Sequence, residues 1–202
     1  MSKFSKYIGM QFGNPHGFIG KICCLIMNTI NRKMYKAIES EIVSAKNILD
    51  IGYGNGFLIQ KLYKKTKAKI DGIDISNDMK TIAESRNKKA VLKGDVKLSV
   101  GNVCKLDSFS KTYDAITSVN TIYFWRGALQ GLKEIYKVLQ PNGIFYNAVY
   151  SKQWLKKMSY TKEGFTFFEK EDYISLGKEA GFSNICIKEI SKGKSFLIMF
   201  EK

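Results

Sequence analysis

Apolar residues recur at three- and four-residue spacing from Ile19 through Ile22, Cys23, Ile26, Ile30, Met34, Ile38 and Ile42. That period predicts one helical face, or two helices in succession, which must bury its stripe against the rest of the chain. Asn14, Pro15 and Gly17 mark a turn ahead of it. Beyond residue 46 the pattern becomes short apolar runs alternating with amphipathic stretches. Strands are predicted at 47–51, 70–75, 97–100, 114–119 and 144–149, with helices at 57–65 and 128–139. Ser76, with Asp78 close behind, caps a further helix after the second strand. Leu129, Leu132, Ile135, Tyr136 and Leu139 share a face, and Gln140-Pro141-Asn142-Gly143 stops that helix.

Strands alternating with helices predict a parallel, doubly wound sheet with right-handed crossovers. The rhythm breaks at the C-terminus. A helix at 170–180 ends at Gly181, and two β-rich runs follow at 183–190 and 195–200. Only Ser-Lys-Gly-Lys links them, too short for a crossover, so they form an antiparallel hairpin. The expected fold is α/β: a Rossmann-like seven-stranded sheet, mostly parallel, with an antiparallel C-terminal hairpin. A helical N-terminal cap or lid (1–45) precedes one compact unit (46–202). The 202 residues suffice for one core, and no linker or repeat divides them.

The net charge of +15 invites a nucleic-acid partner. All but three of the 33 basic residues are lysines, however, the arginines being Arg32, Arg86 and Arg126. Surfaces that read bases favour the planar guanidinium, so a solvated lysine surface is the preferred account. Cys23, Cys24, Cys104 and Cys186 show no C-x-x-C spacing and His16 is the only histidine, which argues against zinc. Free, apolar-flanked thiols suit a reducing cytoplasm. The apolar stretch near 18–30 is interrupted by Lys21, lacks a signal-peptide cleavage pattern and is too short to span a bilayer.

The candidate chemistry lies in Asn47–Gly56, "NILDIGYGNG", and in "IDGIDIS" from Ile70. Gly52, Gly54 and Gly56 follow the first strand, where a tight turn lets backbone approach a ligand and a helix points its amides at it. In open α/β sheets ligands sit at such strand ends. The alternating glycines after an aspartate resemble motif I of the class I S-adenosylmethionine (SAM) dependent methyltransferases. "VGNVCKLDSFSKTYDAITSVNTIYFW", "LKEIYKVLQPNGIF" and "AGFSNICI" are similar to later stretches of that family. The likeness runs from Ile48 to the C-terminus and is nearest the small-molecule branch (methyltransferase type 11) resembling ubiquinone/menaquinone-biosynthesis enzymes.

The resemblance implies SAM as cofactor and S-adenosylhomocysteine as product. It places Gly52, Tyr53, Gly54 and Gly56 around the methionine portion, with Asp50 orienting the amino group. Asp74 takes the ribose, Ile75 and Met79 pack on adenine, and Asn102 and Val103 read its amino edge. An aspartate is common at position 102, and Asn102 keeps the acceptor without the charge. Asn120 lies beside the sulfonium.

Methyl transfer from a sulfonium is an in-line displacement that needs alignment and dryness more than a catalytic side chain. His16 is a candidate base, or else a turn histidine without a role. Tyr123 is a second catalytic candidate and, with Phe124 and Trp125, could line the methyl channel; packing beneath the next helix is the plain alternative. "NTIY" has the spacing of the N/D-P-P-Y motif without its prolines, and no Pro-Cys marks a cytosine enzyme. A small or medium-sized organic acceptor is expected, with oligomeric state open. An RNA or protein methyltransferase, and a SAM-binding regulator without turnover, remain alternatives.

Overall fold

Strands buried on both faces read as nearly continuous apolar runs, and β1 (Asn47–Ile51) is buried at four of its five residues. The computed structural model describes residues 27–107, 109 and 111–202. Residues 19–26 of the predicted first helix, and the turn before it, lie outside them. Residues 27–30 are helical, and a turn at Asn31 leads into α1 (Arg32–Glu41). After β1 come α2 (Phe57–Thr66), β2 (Lys69–Asp74), α3 (Asn77–Arg86), α4 (Lys88–Leu92), β3 (Val96–Val100) and β4 (Tyr113–Val119). Then follow α5 (Ala128–Val138), β5 (Leu139–Tyr150), α6 (Lys152–Lys156), α7 (Lys170–Ala180), β6 (Asn184–Ser191) and β7 (Ser195–Glu201).

One seven-stranded sheet has the order β3-β2-β1-β4-β5-β7-β6. The first five strands are parallel, and β7 runs antiparallel to both its neighbours. The predicted hairpin is therefore the sheet's end, with β7 inserted between β5 and β6. Strand order reverses between β1 and β4, the switch point where doubly wound sheets open a crevice. Asp114 secures that boundary by accepting the amides of Lys46 (2.8 Å) and Asn47 (2.7 Å).

Three details differ from the pattern. The second strand ends at Asp74, so Ile75 lies beyond it and is 51% exposed. The Gln140–Gly143 stretch ends α5, yet it does so as an insertion inside β5. Tyr113 pairs with Leu139 and Ala115 with Ile144, and Asn142 takes up the slack at φ 60°. The short α4 and α6, and 3₁₀ turns at Ile122–Phe124 and Ser159–Thr161, were not anticipated, because so few residues carry no readable period.

Each face of the sheet is covered. On one, Leu132, Ile135 and Val138 of α5 and Tyr173 of α7 meet Leu49, Ile116 and Phe145. Phe145 stacks on Phe200 at 5.5 Å, which Phe182 also meets at 5.3 Å. On the other, α1 through α4 bury Met34, Ile38, Leu58, Leu62, Met79 and Ala90 against Ile48, Ile70 and Tyr146. The amphipathic stripe of the sequence thus ends in the same core as the strands, through Met34, Ile38 and Ile42, while Ile30 is half exposed. Ile38→Ala should lower unfolding free energy by about 2–5 kcal/mol, the usual cost of emptying a fully buried site. A urea melt showing no loss would mean that α1 is not part of the cooperative unit.

Candidate functional site

The loop leaving β1 runs through three left-handed glycines, at φ 68°, 52° and 71° for Gly52, Gly54 and Gly56. Their reasons differ. A Cβ on Gly52 would lie 2.3 Å from the Thr121 methyl, so this glycine lets the loop close on the end of β4. A Cβ on Gly54 would meet nothing within 4 Å. Its side of the loop faces open space, and its amide donates to Asp74 Oδ2 at 2.8 Å.

Two clefts that share Met27, Gly52, Gly54 and Val119 flank this loop. The narrower is lined by Asp50, Tyr53 and Asn55, with Asn31 and Tyr35 from the N-terminal helices. The wider, about 310 Å³, is lined by Asp74, Ile75, Asn102, Val103, Asn120 and the Phe124–Trp125 pair. A third, smaller aromatic cavity adjoins it through Met27, Asn120 and Phe124 and continues to Tyr123, Tyr150 and Phe165.

Both carboxylates at the strand ends are buried, Asp50 at 2% exposure and Asp74 at 8%. Burial pushes the Asp50 carboxyl up to about 7, against the Thr117 hydroxyl that donates to it at 2.7 Å, and neighbouring Asp74 adds to the rise. Burial likewise raises Asp74, opposed by the amides of Gly54, Ser76 and Ile75. Among the described residues neither acid has an ion-pair partner. Two buried anions flanking a glycine loop suit a ligand with a cationic group and hydroxyls.

Of the predicted cofactor residues, Asp50, Gly52, Tyr53, Gly54, Asp74, Ile75, Asn102, Val103 and Asn120 line this connected cleft. Gly56 and Met79 lie behind that lining. A Cβ on Gly56 would strike Asn87 Nδ2 at 2.6 Å and Ala83 at 2.8 Å, so this glycine serves the packing of α2 on α3. Met79 is fully buried on the same side. Asn102 Oδ1 already accepts the Cys104 amide (2.9 Å) in its own turn. The Tyr53 hydroxyl donates to the Ser99 carbonyl at 3.1 Å.

Tyr123 also departs from its expected role. Its hydroxyl donates within reach of Asn120 Oδ1 (3.2 Å) and the Tyr150 carbonyl (3.1 Å) and accepts the Tyr150 amide. Burial holds it far above the ordinary phenol range. Such a group positions its neighbours and is a poor base at neutral pH. His16 lies outside the described residues. The residues that sequence reasoning missed are Asn31, Thr121 and Tyr150. Asn120, at φ 57°, donates through Nδ2 to Asn31 Oδ1 at 3.0 Å and lies 3.2 Å from Met34 Sδ, while its Oδ1 accepts the Tyr150 amide at 3.2 Å. Only the left-handed backbone hinted at by an asparagine after a strand could have signalled this hub.

Residues 48–143 match the model of a methyltransferase domain. The uncharacterized methyltransferase YdaC of Bacillus subtilis is 34% identical over 103 residues, half of this chain and 55% of that protein. Malonyl-[acyl-carrier protein] O-methyltransferase of Priestia megaterium is 34% identical over 148 residues, 66% of this chain and 52% of that protein. The chain spans about half the length of these curated relatives. In fold it resembles a SAM-dependent methyltransferase from Clostridium acetobutylicum, with a TM-score of 0.73 at 14% identity, covering 92% of this chain and 99% of that one. Over residues 48–143 in sequence, and over most of its length in fold, the chain is thus similar to methyltransferases.

The raised Asp50 carboxyl makes stability depend on pH. An aspartate ionising near its ordinary value of 3.8 when unfolded and about 7 when folded binds its proton more tightly in the folded state. Its contribution is full below the unfolded value and is lost as pH rises through the folded one. Asp50→Asn keeps the Thr117 hydrogen bond and cannot ionise. The variant should match the parent near pH 4, gain relative stability as the pH rises from about 4 to about 7, and keep a constant advantage above that, read from paired thermal melts. Parallel pH profiles would contradict the burial argument.

Proposed function

We propose that the protein transfers the methyl group of SAM to a small organic acceptor held in the aromatic cavity. The observation that carries this reading is the pair of buried, unpaired carboxylates, Asp50 and Asp74, on either side of the open Gly54 turn. Bound there, SAM supplies an electrophilic methyl on a sulfonium. The amino group of its methionine end would meet Asp50 beside Gly52 and Tyr53, and the ribose diol would meet Asp74. Ile75 and Val103 would flank the adenine, with Asn102 at its edge. Asn120 and Phe124 stand at the junction of the two cavities, where the acceptor would be aligned and water excluded. The small volume of the aromatic cavity favours a small acceptor over a polymer. The free thiols of Cys104 and Cys186 support a reducing, cytoplasmic setting. Among the described residues no helix is long and apolar enough to cross a membrane.

Calorimetry should show binding of SAM or S-adenosylhomocysteine, and tighter binding of NAD would overturn the reading. Asp74→Ala removes the diol acceptor, a contact worth about 1.5–3 kcal/mol, so affinity should fall about ten- to hundredfold. Unchanged affinity would remove Asp74 from the site.

The stretch 7–17, turn-rich and aromatic in sequence, is our candidate lid, with His16 as its candidate base. Deletion of residues 1–13 should leave SAM affinity nearly intact and abolish transfer to the acceptor. Full activity after deletion defeats the lid. A rate loss in His16→Ala that is restored at higher pH would support proton abstraction, because the acceptor then arrives already ionised.

A further inference from the structure

We propose that the outer rim of the aromatic cavity is an anion site, and hence that the acceptor is an amphipathic molecule bearing a phosphate or carboxylate beside its apolar part. This rests on reading that cavity as the acceptor site. Tyr150 and Tyr160 form part of its lining, and the adjoining surface is built from α6 and the β6–β7 turn. One residue joins them. Ser151 donates its amide to the Lys194 carbonyl (2.9 Å) and its hydroxyl to the Gly193 carbonyl (2.9 Å), while its Oγ accepts the Trp154 amide (3.1 Å) and caps α6. Helix and turn are thereby locked together.

The lock brings two like charges onto one ring. Lys194 Nζ lies 4.2 Å and Lys157 Nζ 6.0 Å from the centre of the Trp154 indole, and Lys194 is also 5.8 Å from the Tyr150 ring. Neither ammonium has a carboxylate partner among the described residues. The nearby acids are engaged elsewhere: Glu169 pairs with Lys152 at 3.0 Å, and Glu189 accepts the Gly193 amide at 2.7 Å. An aromatic face attracts each cation, and both ammoniums are held beside the same indole. A phosphate or carboxylate at this rim would gain charge-assisted hydrogen bonds from these ammoniums. Its apolar part would then lie over Tyr150 toward Phe124 and the methyl group. Transfer itself is unchanged: the acceptor atom gains the methyl, the methyl–sulfur bond breaks with its electron pair staying on sulfur, any proton on the acceptor atom passes to solvent, and S-adenosylhomocysteine leaves.

The test compares 1-naphthyl phosphate with neutral 1-naphthol by calorimetry at low salt, with no cofactor added. The wild type should favour the phosphate about ten- to hundredfold, the range expected of hydrogen bonds to charged groups. Lys157→Gln/Lys194→Gln should erase that preference while leaving 1-naphthol and SAM affinities as they were. Lys192→Gln removes the same charge from the same exposed turn and should keep the preference. Equal binding of the two probes by the wild type overturns the proposal, as does an equal loss in Lys192→Gln, which would reduce the effect to net charge. Phosphatidylglycerol vesicles provide the other arm. Sedimentation with vesicles that the double variant loses, beside indifference to the two probes, assigns the rim to a lipid surface and also overturns it. A parallel SAM titration reads the proposed function separately, so either conclusion can fail without the other.

Discussion

The cleft depends on the grip of one carboxylate. Asp74 reaches from the end of β2 to the Gly54 amide (2.8 Å) and the Ser76 amide (3.0 Å), tying the loop after β1 to the start of α3. The Gly52 amide adds a bond to the Ile73 carbonyl at 2.7 Å. Burying a carboxylate is costly unless such donors surround it, and the donors here are main-chain groups that cannot rotate away. The left-handed loop, the position of Asp50 opposite and the mouth of the wide cavity all follow from that anchoring. The same amides that steady Asp74 occupy only part of its hydrogen-bonding capacity, since a carboxylate offers about four acceptor sites. Structure and ligand recognition can therefore share one side chain.

Much of this was legible in the chain. Periodicity and turn residues sufficed for the sheet, the hairpin and the buried face of α1, because each rests on burial patterns local to a segment. The glycine loop and Asp74 were legible because positive φ and a strand-end acid leave a marked signature. What failed has a physical reason. Gly56 and Met79 look like ligand contacts in sequence, yet which side of a loop or helix faces a cleft depends on packing between α2 and α3. The hub around Asn120 was invisible, because Asn31, Tyr123 and Tyr150 come together only after α1 and β5 dock. Tyr123 reads as a channel residue, and its hydroxyl's near neighbours are set by the ends of β4 and β5.

That hub also joins two cavities through polar contacts. Asn120 touches the wide cavity with its backbone and side chain, while its amide group spans α1, Tyr123 and Tyr150. Tyr150 in turn reaches back toward Asn31 Oδ1 through its hydroxyl at 3.3 Å. The wide cavity and the aromatic cavity share a wall whose polar groups hydrogen-bond to one another.

The insertion of β7 between β5 and β6 imposes an order of assembly. β6 is made first but has only β7 as a sheet neighbour, so it cannot join the sheet until residues up to Glu201 exist. The described lining of the cofactor cleft ends at Arg126, and its strands can pair while the hairpin is still missing. The turn carrying Lys194 arrives with the hairpin. During synthesis, then, the residues that line the wide cavity are complete well before the turn that carries Lys194, and the two regions have different histories.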